Sequence, residues 1–212
     1  MPAASGSESA AAGRSRIAWQ EIFEHYNPKQ WREVTVTRHT SFRVMLLDGR
    51  RCLEALSHNS ASIFLSKVNV DPAVAPWMAW DWRVDRFVDE EDLYRKEKSD
   101  ASARVYVYFD TPGLPWQKHS IDYVWSSNLP VDTLLDSPFS ASSKIIVASS
   151  GVEKKGQWQQ VRRNIPEDYQ RCFSSKAPKI AAIGLMTDTD SAGGHALAYY
   201  DDVQLLTTQA EP

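Results

Sequence analysis

Four carboxylates near the end of the chain, Asp188, Asp190, Asp201 and Asp202, stand in or beside segments that are otherwise apolar. An unpaired buried charge is costly, so carboxylates in such places are hydrogen-bonded, ion-paired or bound to a cation. Calcium would take about six to eight oxygen ligands from carboxylates and carbonyls. A pair of carboxylates at a defined separation, one with a raised pKa, could cleave glycosidic bonds. Asp188 with Asp201, or Glu97 with Asp100, are the candidate pairs for that chemistry. The plainer alternative is turn caps and salt bridges to Arg162, Arg163 or Arg104. No EF-hand-like ligand spacing is present, nor Gly-x-Ser-x-Gly, His-Glu-x-x-His or a phosphate loop. The five histidines, His25, His39, His58, His119 and His195, show no metal-ligand spacing.

The second constellation is aromatic. In Ala103 to Asp110, Arg104, Tyr106, Tyr108 and Asp110 alternate with Val105, Val107 and Phe109. Successive side chains of a strand point to opposite faces, so the two tyrosines share one face with Arg104 and Asp110. Such a strip can stack on sugar rings while its charged neighbours hydrogen-bond hydroxyls. The alternative places it against the core or under a covered outer sheet. Trp80, Trp82 and Val84 alternate with Asp81 and Arg83, which predicts core positions for the two tryptophans. Trp77, Trp116 and Trp158 fall near loops or strand ends and are further candidates for ligand contact.

These residues need a scaffold of strands. Glu33 to Thr37 alternates and is β-branched. Phe42 to Leu47 runs into Asp48-Gly49 and then Cys52 to Leu56, which predicts a hairpin. Ser62 to Val70, Trp77 to Val84, Ile121 to Trp125, Ile180 to Met186 and His195 to Leu205 read as further strands. Ile145 to Ala148 and Gln157 to Arg163 flank a Gly-containing turn and read as a second hairpin. Asp89 to Asp100 reads as a charged loop with a short helical turn, and Leu129 to Ser143 as a loop. Pro166 to Cys172 reads as a short helix with Pro at its first position. The count is roughly nine to eleven short strands with almost no long helix, which indicates an all-β sandwich or barrel.

The 212 residues suit one domain over 17–207, with a disordered Ala/Ser/Gly-rich tail at 1–16 and a short tail at 208–212. A net charge of −3 with mixed signs gives no reason to expect nucleic-acid binding. No apolar run approaches the roughly 20 residues of a membrane span. The N-terminus has no recognisable signal peptide, which fits a cytoplasmic protein, or an exported one if the start is truncated. Cys52 and Cys172 are expected to be buried free thiols.

From about Trp19 to Leu205 the chain resembles a bacterial family known as domain of unknown function 3047. The residues that carry the resemblance are Trp80-Asp81-Trp82-Arg83-Val84, and Lys96-Glu97-Lys98-Ser99-Asp100 leading into Ala103 to Val107. Ile121-Asp122-Tyr123-Val124-Trp125, Leu185 to Asp190 and Ala198 to Asp202 complete it. The two ends also look like galactose-binding-like jelly rolls, the fold of many carbohydrate-binding modules. In those modules a Phe-Glu near the start and an Asp-Asp-Val in the last strand commonly hold a structural calcium. The resemblance therefore implies a jelly-roll β-sandwich with Glu24 of Phe23-Glu24 and Asp202 of Asp201-Asp202-Val203 as calcium ligands. It also implies a non-catalytic module that binds carbohydrate or another envelope component. A glycan-active enzyme and a purely structural or protein-interaction sandwich are the alternatives.

Overall fold

A computed structural model describes residues 16–114 and 117–207. All of the predicted tail at 1–16 except Arg16, the predicted tail at 208–212, and Trp116 lie outside the described residues. Thirteen strands occur among the described residues, in two sheets. The first sheet runs in the order β11 (Gln159–Asn164), β6 (Trp77–Arg86), β13 (His195–Leu206), β4 (Arg50–His58) and β3 (Ser41–Leu47). β1 (Ile17–Glu21) also pairs with β13. The second sheet runs β2 (Trp31–Thr37), β5 (Ala61–Val70), β12 (Ile180–Met186), β7 (Ala103–Phe109), β8 (Ser120–Ser126), β10 (Ser143–Ser150) and β9 (Leu134–Asp136). The fold is a jelly-roll β-sandwich: the spacing of short strands predicts a sandwich or barrel, and the resemblance implies the jelly roll. Among the described residues no helix is long and apolar enough to cross a membrane.

Alternation decides which side chains fill the space between the sheets. Trp80, Trp82 and Val84 of β6 point inward, as do Val105, Val107 and Phe109 of β7, and all six are fully buried. Trp80 and Trp82 meet edge to face at 5.4 Å, and Trp80 lies 5.2 Å from Tyr123 of β8. The polar ends of two of these rings find partners, whereas among the described residues Trp80 Nε1 has none. Trp82 Nε1 donates to Ser149 Oγ at 3.0 Å, and Tyr123 Oη donates to Asp168 at 2.8 Å. Cys52 is a buried free thiol as expected, and Cys172 is free and half-buried.

The hairpin predicted at Asp48-Gly49 joins β3 to β4 in continuous register. Both turn residues have positive φ, 53° and 82°, which an Asp-Gly pair tolerates and the strand twist favours. The second predicted hairpin is a correction. β10 belongs to one sheet and pairs in parallel with β8, while β11 belongs to the other and pairs with β6. The Gly151–Gly156 segment therefore crosses between sheets. Gly156 N donates to Val84 O there, which fixes the crossing to β6. The segment read as loop at 129–143 also contains β9, which adds an edge strand to β10. The predicted helix is α1 (Ile165–Phe173), capped by Asn164, whose side chain accepts from Glu167 N.

Candidate functional site

β7 lies inside the second sheet, between β12 and β8. Its inward residues are core, so Arg104, Tyr106 and Tyr108 must face outward. The neighbouring strands leave room for them. Gly184 of β12 is the register partner of Tyr106. A Cβ on Gly184 would stand 2.7 Å from Ile63 Cγ2 and 3.4 Å from Tyr106 Cβ, so the glycine lets Ile63 and Tyr106 close over the sheet. The result is a groove of about 240 Å³ along β7. Tyr106 and Tyr108 line its floor, Val36 and Ile63 one side, and Ser137, Phe139 and Ser140 the other. That is smaller than a typical drug-sized pocket of about 300–1,000 Å³ and suits a short stretch of ligand.

The two tyrosine rings stack on each other, with centroids 5.3 Å apart and planes 12° from parallel. The Arg104 guanidinium lies over the other side of Tyr106, 5.8 Å from its centroid. Both tyrosines are half-buried, and burial raises both phenol pKa values. They are therefore neutral hydroxyl groups that can donate and accept.

Arg104 sits at one end of this column, itself almost fully buried. It donates to Ser99 O at 3.0 Å, and Asp122 and Asp188 lie 3.6 Å away at its two terminal nitrogens. Among the described residues its buried Nε has no hydrogen-bond partner. Ser120 and Ser143 donate to Asp122 at 3.0 and 2.9 Å, and Ala101 N donates to Asp188 at 3.2 Å. Burial nevertheless pushes the Asp122 carboxyl up to about 6 and that of Asp188 to about 7, against the pull of Arg104. Asp188 thus meets Arg104, one of the ion-pair partners named from the sequence.

Asp100, Asp188 and Asp190 bring carboxylate oxygens within 4.8 Å of one another. Ser191 N and Ala192 N donate to Asp100 at 2.7 to 3.1 Å, so it acts as a clasp on the 191–192 turn. Asp188 follows β12 of one sheet and Asp201 lies on β13 of the other, with its carboxylate turned to Arg50. Glu97 stands in a short helical turn with no buried residue, whereas Asp100 is buried. Neither carboxylate pair named from the sequence is brought together in the groove.

The other predicted ligand contacts separate. Asp110 is exposed just past β7 and holds Lys118 at 3.1 Å, and Lys118 in turn lines the groove. Trp77 opens β6 of the opposite sheet and Trp158 lies just before β11 of that sheet. Arg162 covers the Trp77 ring at 4.6 Å and Arg50 covers Trp158 at 4.3 Å. Phe139 is the groove aromatic that the sequence reading passed over. It is exposed, with Lys96 Nζ 5.7 Å from its ring centre. Its setting in a polar, Pro-punctuated segment gave no alternation to reveal it.

The calcium candidates lie on the first sheet. Glu24 is exposed, beyond the end of β1. Asp202 has a φ of 49° within an irregularity of β13, which breaks the alternation. Asp201 and Asp202 therefore both reach Arg50, which also holds Asp81 at 2.7 Å. A guanidinium already stands against Asp202, at 2.7 Å. A calcium ion there would have to share or displace that charge.

None of the curated proteins matches this sequence. Among solved structures, the chain resembles the N-terminal CBM22-1–CBM22-2 tandem domain of Xyn10C from Paenibacillus barcinonensis, at 15% identity and a TM-score of 0.46. That match covers 90% of this chain and 50% of the tandem, so the chain spans half of its length. It also resembles the family 11 carbohydrate-binding module of a cellulosomal cellulase of Clostridium thermocellum, at 9% identity and a TM-score of 0.47, over 95% of this chain and 99% of that one. The xyloglucanase domain of NopAA, a type three effector from Sinorhizobium fredii, is similar at 8% identity and a TM-score of 0.47, over 87% and 96% of the two chains. A family model described as protein of unknown function (DUF3047) matches residues 29–204, and the chain belongs to that family.

Proposed function

We propose that the groove over β7 binds carbohydrate and that the protein is a non-catalytic binding module. The observation that carries this reading is one open groove floored by two half-buried phenols and faced by an exposed aromatic ring. Tyr106 and Tyr108 line it opposite the exposed ring of Phe139, and Arg104 lies buried at its end. Sugars offer many hydroxyls that both donate and accept, together with apolar ring faces. The phenols would exchange hydrogen bonds with sugar hydroxyls, Phe139 would cover a ring face, and the buried Arg104 would hold the Tyr106 ring in place. Because Asp110 anchors Lys118 at the rim, the ammonium would be held where it can add one more donor. A glycan of an envelope falls within the same chemistry.

The test is a glycan array followed by calorimetry with any ligand found. Tyr106→Ala and Phe139→Ala should weaken binding without unfolding the protein, and no reducing ends should be released on incubation. Release of reducing ends, abolished by Asp188→Asn, would replace the module with an enzyme. Absence of binding to every glycan would leave a structural or protein-interaction role.

A further inference from the structure

The histidines show no ligand spacing along the chain, yet the fold brings two of them into contact. His58 ends β4 and His195 begins β13, and the two are direct partners in the antiparallel register. Their ring centroids lie 3.9 Å apart, with planes tilted by 47°. Among the described residues no side chain hydrogen-bonds to either ring. His58 is exposed and His195 half-exposed. The flanking buried residues Ser57 and Ala196 point into the sandwich, so the rings lie on the outer face of the first sheet, away from the β7 groove.

We propose that His58 and His195 form a cross-strand chelate for a divalent transition metal. Directly opposed residues of an antiparallel pair have Cβ atoms roughly 4.5–5.5 Å apart, a span that two imidazoles can bridge to one ion at about 2.0–2.1 Å per nitrogen. The backbone around them is already fixed. Asn59 N donates to Gly194 O at 3.0 Å, and Gly194 N donates to Asn59 Oδ1 at 2.7 Å. His58 N donates to Ser60 Oγ at 3.2 Å. Ser57 Oγ pairs with Thr189 Oγ1 at 2.8 Å in the buried layer beneath. Only the side-chain torsions must be ordered on binding, which lowers the entropic cost.

Two imidazoles select nickel, zinc or copper(II) over magnesium and calcium, which prefer oxygen. Two ligands leave the remaining coordination positions to water. Arg86 lies near His195 and weakens the attraction of any cation. Binding therefore stays modest, and it ties β13 to β4.

The experiment is calorimetric titration of Ni²⁺ or Zn²⁺ chloride into the full chain at a pH above the ordinary imidazole pKa, with circular dichroism to confirm that every variant folds. One ion should bind per chain. His58→Ala and His195→Ala should each weaken binding at least about tenfold, the loss of one of two ligands costing about 1.4 kcal/mol or more. Mg²⁺ should not bind. His39→Ala should leave the affinity unchanged, because His39 pairs separately with Glu33. In the unmodified chain, paramagnetic Ni²⁺ should broaden the His58 and His195 ring resonances before those of the other histidines. The proposal is overturned if millimolar Ni²⁺ does not bind, if either single variant keeps the original affinity, or if the ion broadens His39 first.

Discussion

Tyr106 and Tyr108 cover each other. With centroids 5.3 Å apart and planes nearly parallel, each ring occupies a face of its neighbour, and Arg104 lies over the remaining face of Tyr106. A ligand in the groove consequently meets ring edges and hydroxyls. Removing only the hydroxyl should be nearly as harmful to binding as removing the whole ring. Tyr106→Phe is expected to weaken glycan affinity about tenfold, the scale of one lost hydrogen bond. A Phe variant with full affinity and an Ala variant without it would show that the ring face is what binds.

Asp81, Asp201 and Asp202 converge on Arg50. Removing the guanidinium should leave three carboxylates sharing one region with no counter-charge. Arg50→Ala is expected to lower the melting temperature in chelator, and millimolar calcium should restore part of the loss, because an ion that binds only the folded state stabilises it by mass action. The unmodified protein should show little calcium response. A rise of equal size in both proteins, abolished by Asp202→Ala, would instead establish Glu24 and Asp202 as native calcium ligands.

Burial raises Asp188 to about 7 and Asp122 to about 6, from an ordinary 3.8. The folded state then binds protons that the unfolded chain has released. Stability from these groups is complete below about pH 4 and is lost as pH rises through their folded values. Asp188→Asn imitates the protonated form at every pH. Urea denaturation should show the variant gaining on the unmodified protein between pH 4 and pH 7, then holding a constant difference. A difference that does not change with pH would mean that Asp188 stays ionised beside Arg104.

Val107 lies in the fully buried layer directly between the two tyrosines in sequence, on the opposite face of β7. Val107→Ala should destabilise by about 1–3 kcal/mol through the cavity it leaves, with ligand affinity unchanged. Tyr108→Ala should do the reverse. If both changes unfold the protein, the outer face is as much a part of the folding core as the inner one.

Alternation is local, and what depended on it was legible. The two faces of Ala103–Asp110, the inward tryptophans of β6 and the Asp-Gly hairpin all follow from neighbouring residues. A glycine turn between two short strands is not so informative. The same Gly151–Gly156 sequence serves a chain that doubles back or one that crosses to the other sheet, and the outcome rests on distant partners such as Val84. Phe139, Arg50 and the His58–His195 pair escaped for a related reason. Each acquires its role from a residue far away in sequence, so no window of the chain contains the signal. Asp202 was visible as a carboxylate, but its left-handed backbone, which turns it to the same side as Asp201, was not.

β13 has a consequence for the order of events in folding. It pairs with β6 on one side and with β4 and β1 on the other, so the first sheet has no continuous path without it. β3 and β4 can close as a local hairpin, but β1 and one edge each of β4 and β6 wait for residues 195–206. Such distant pairings carry a large loop-closure cost before any contact repays it, and they slow folding. During synthesis the emerging β4 and β6 therefore each expose an unpaired edge until β13 follows more than 100 residues after β6, a long interval in which a chaperone or a second nascent chain could engage them.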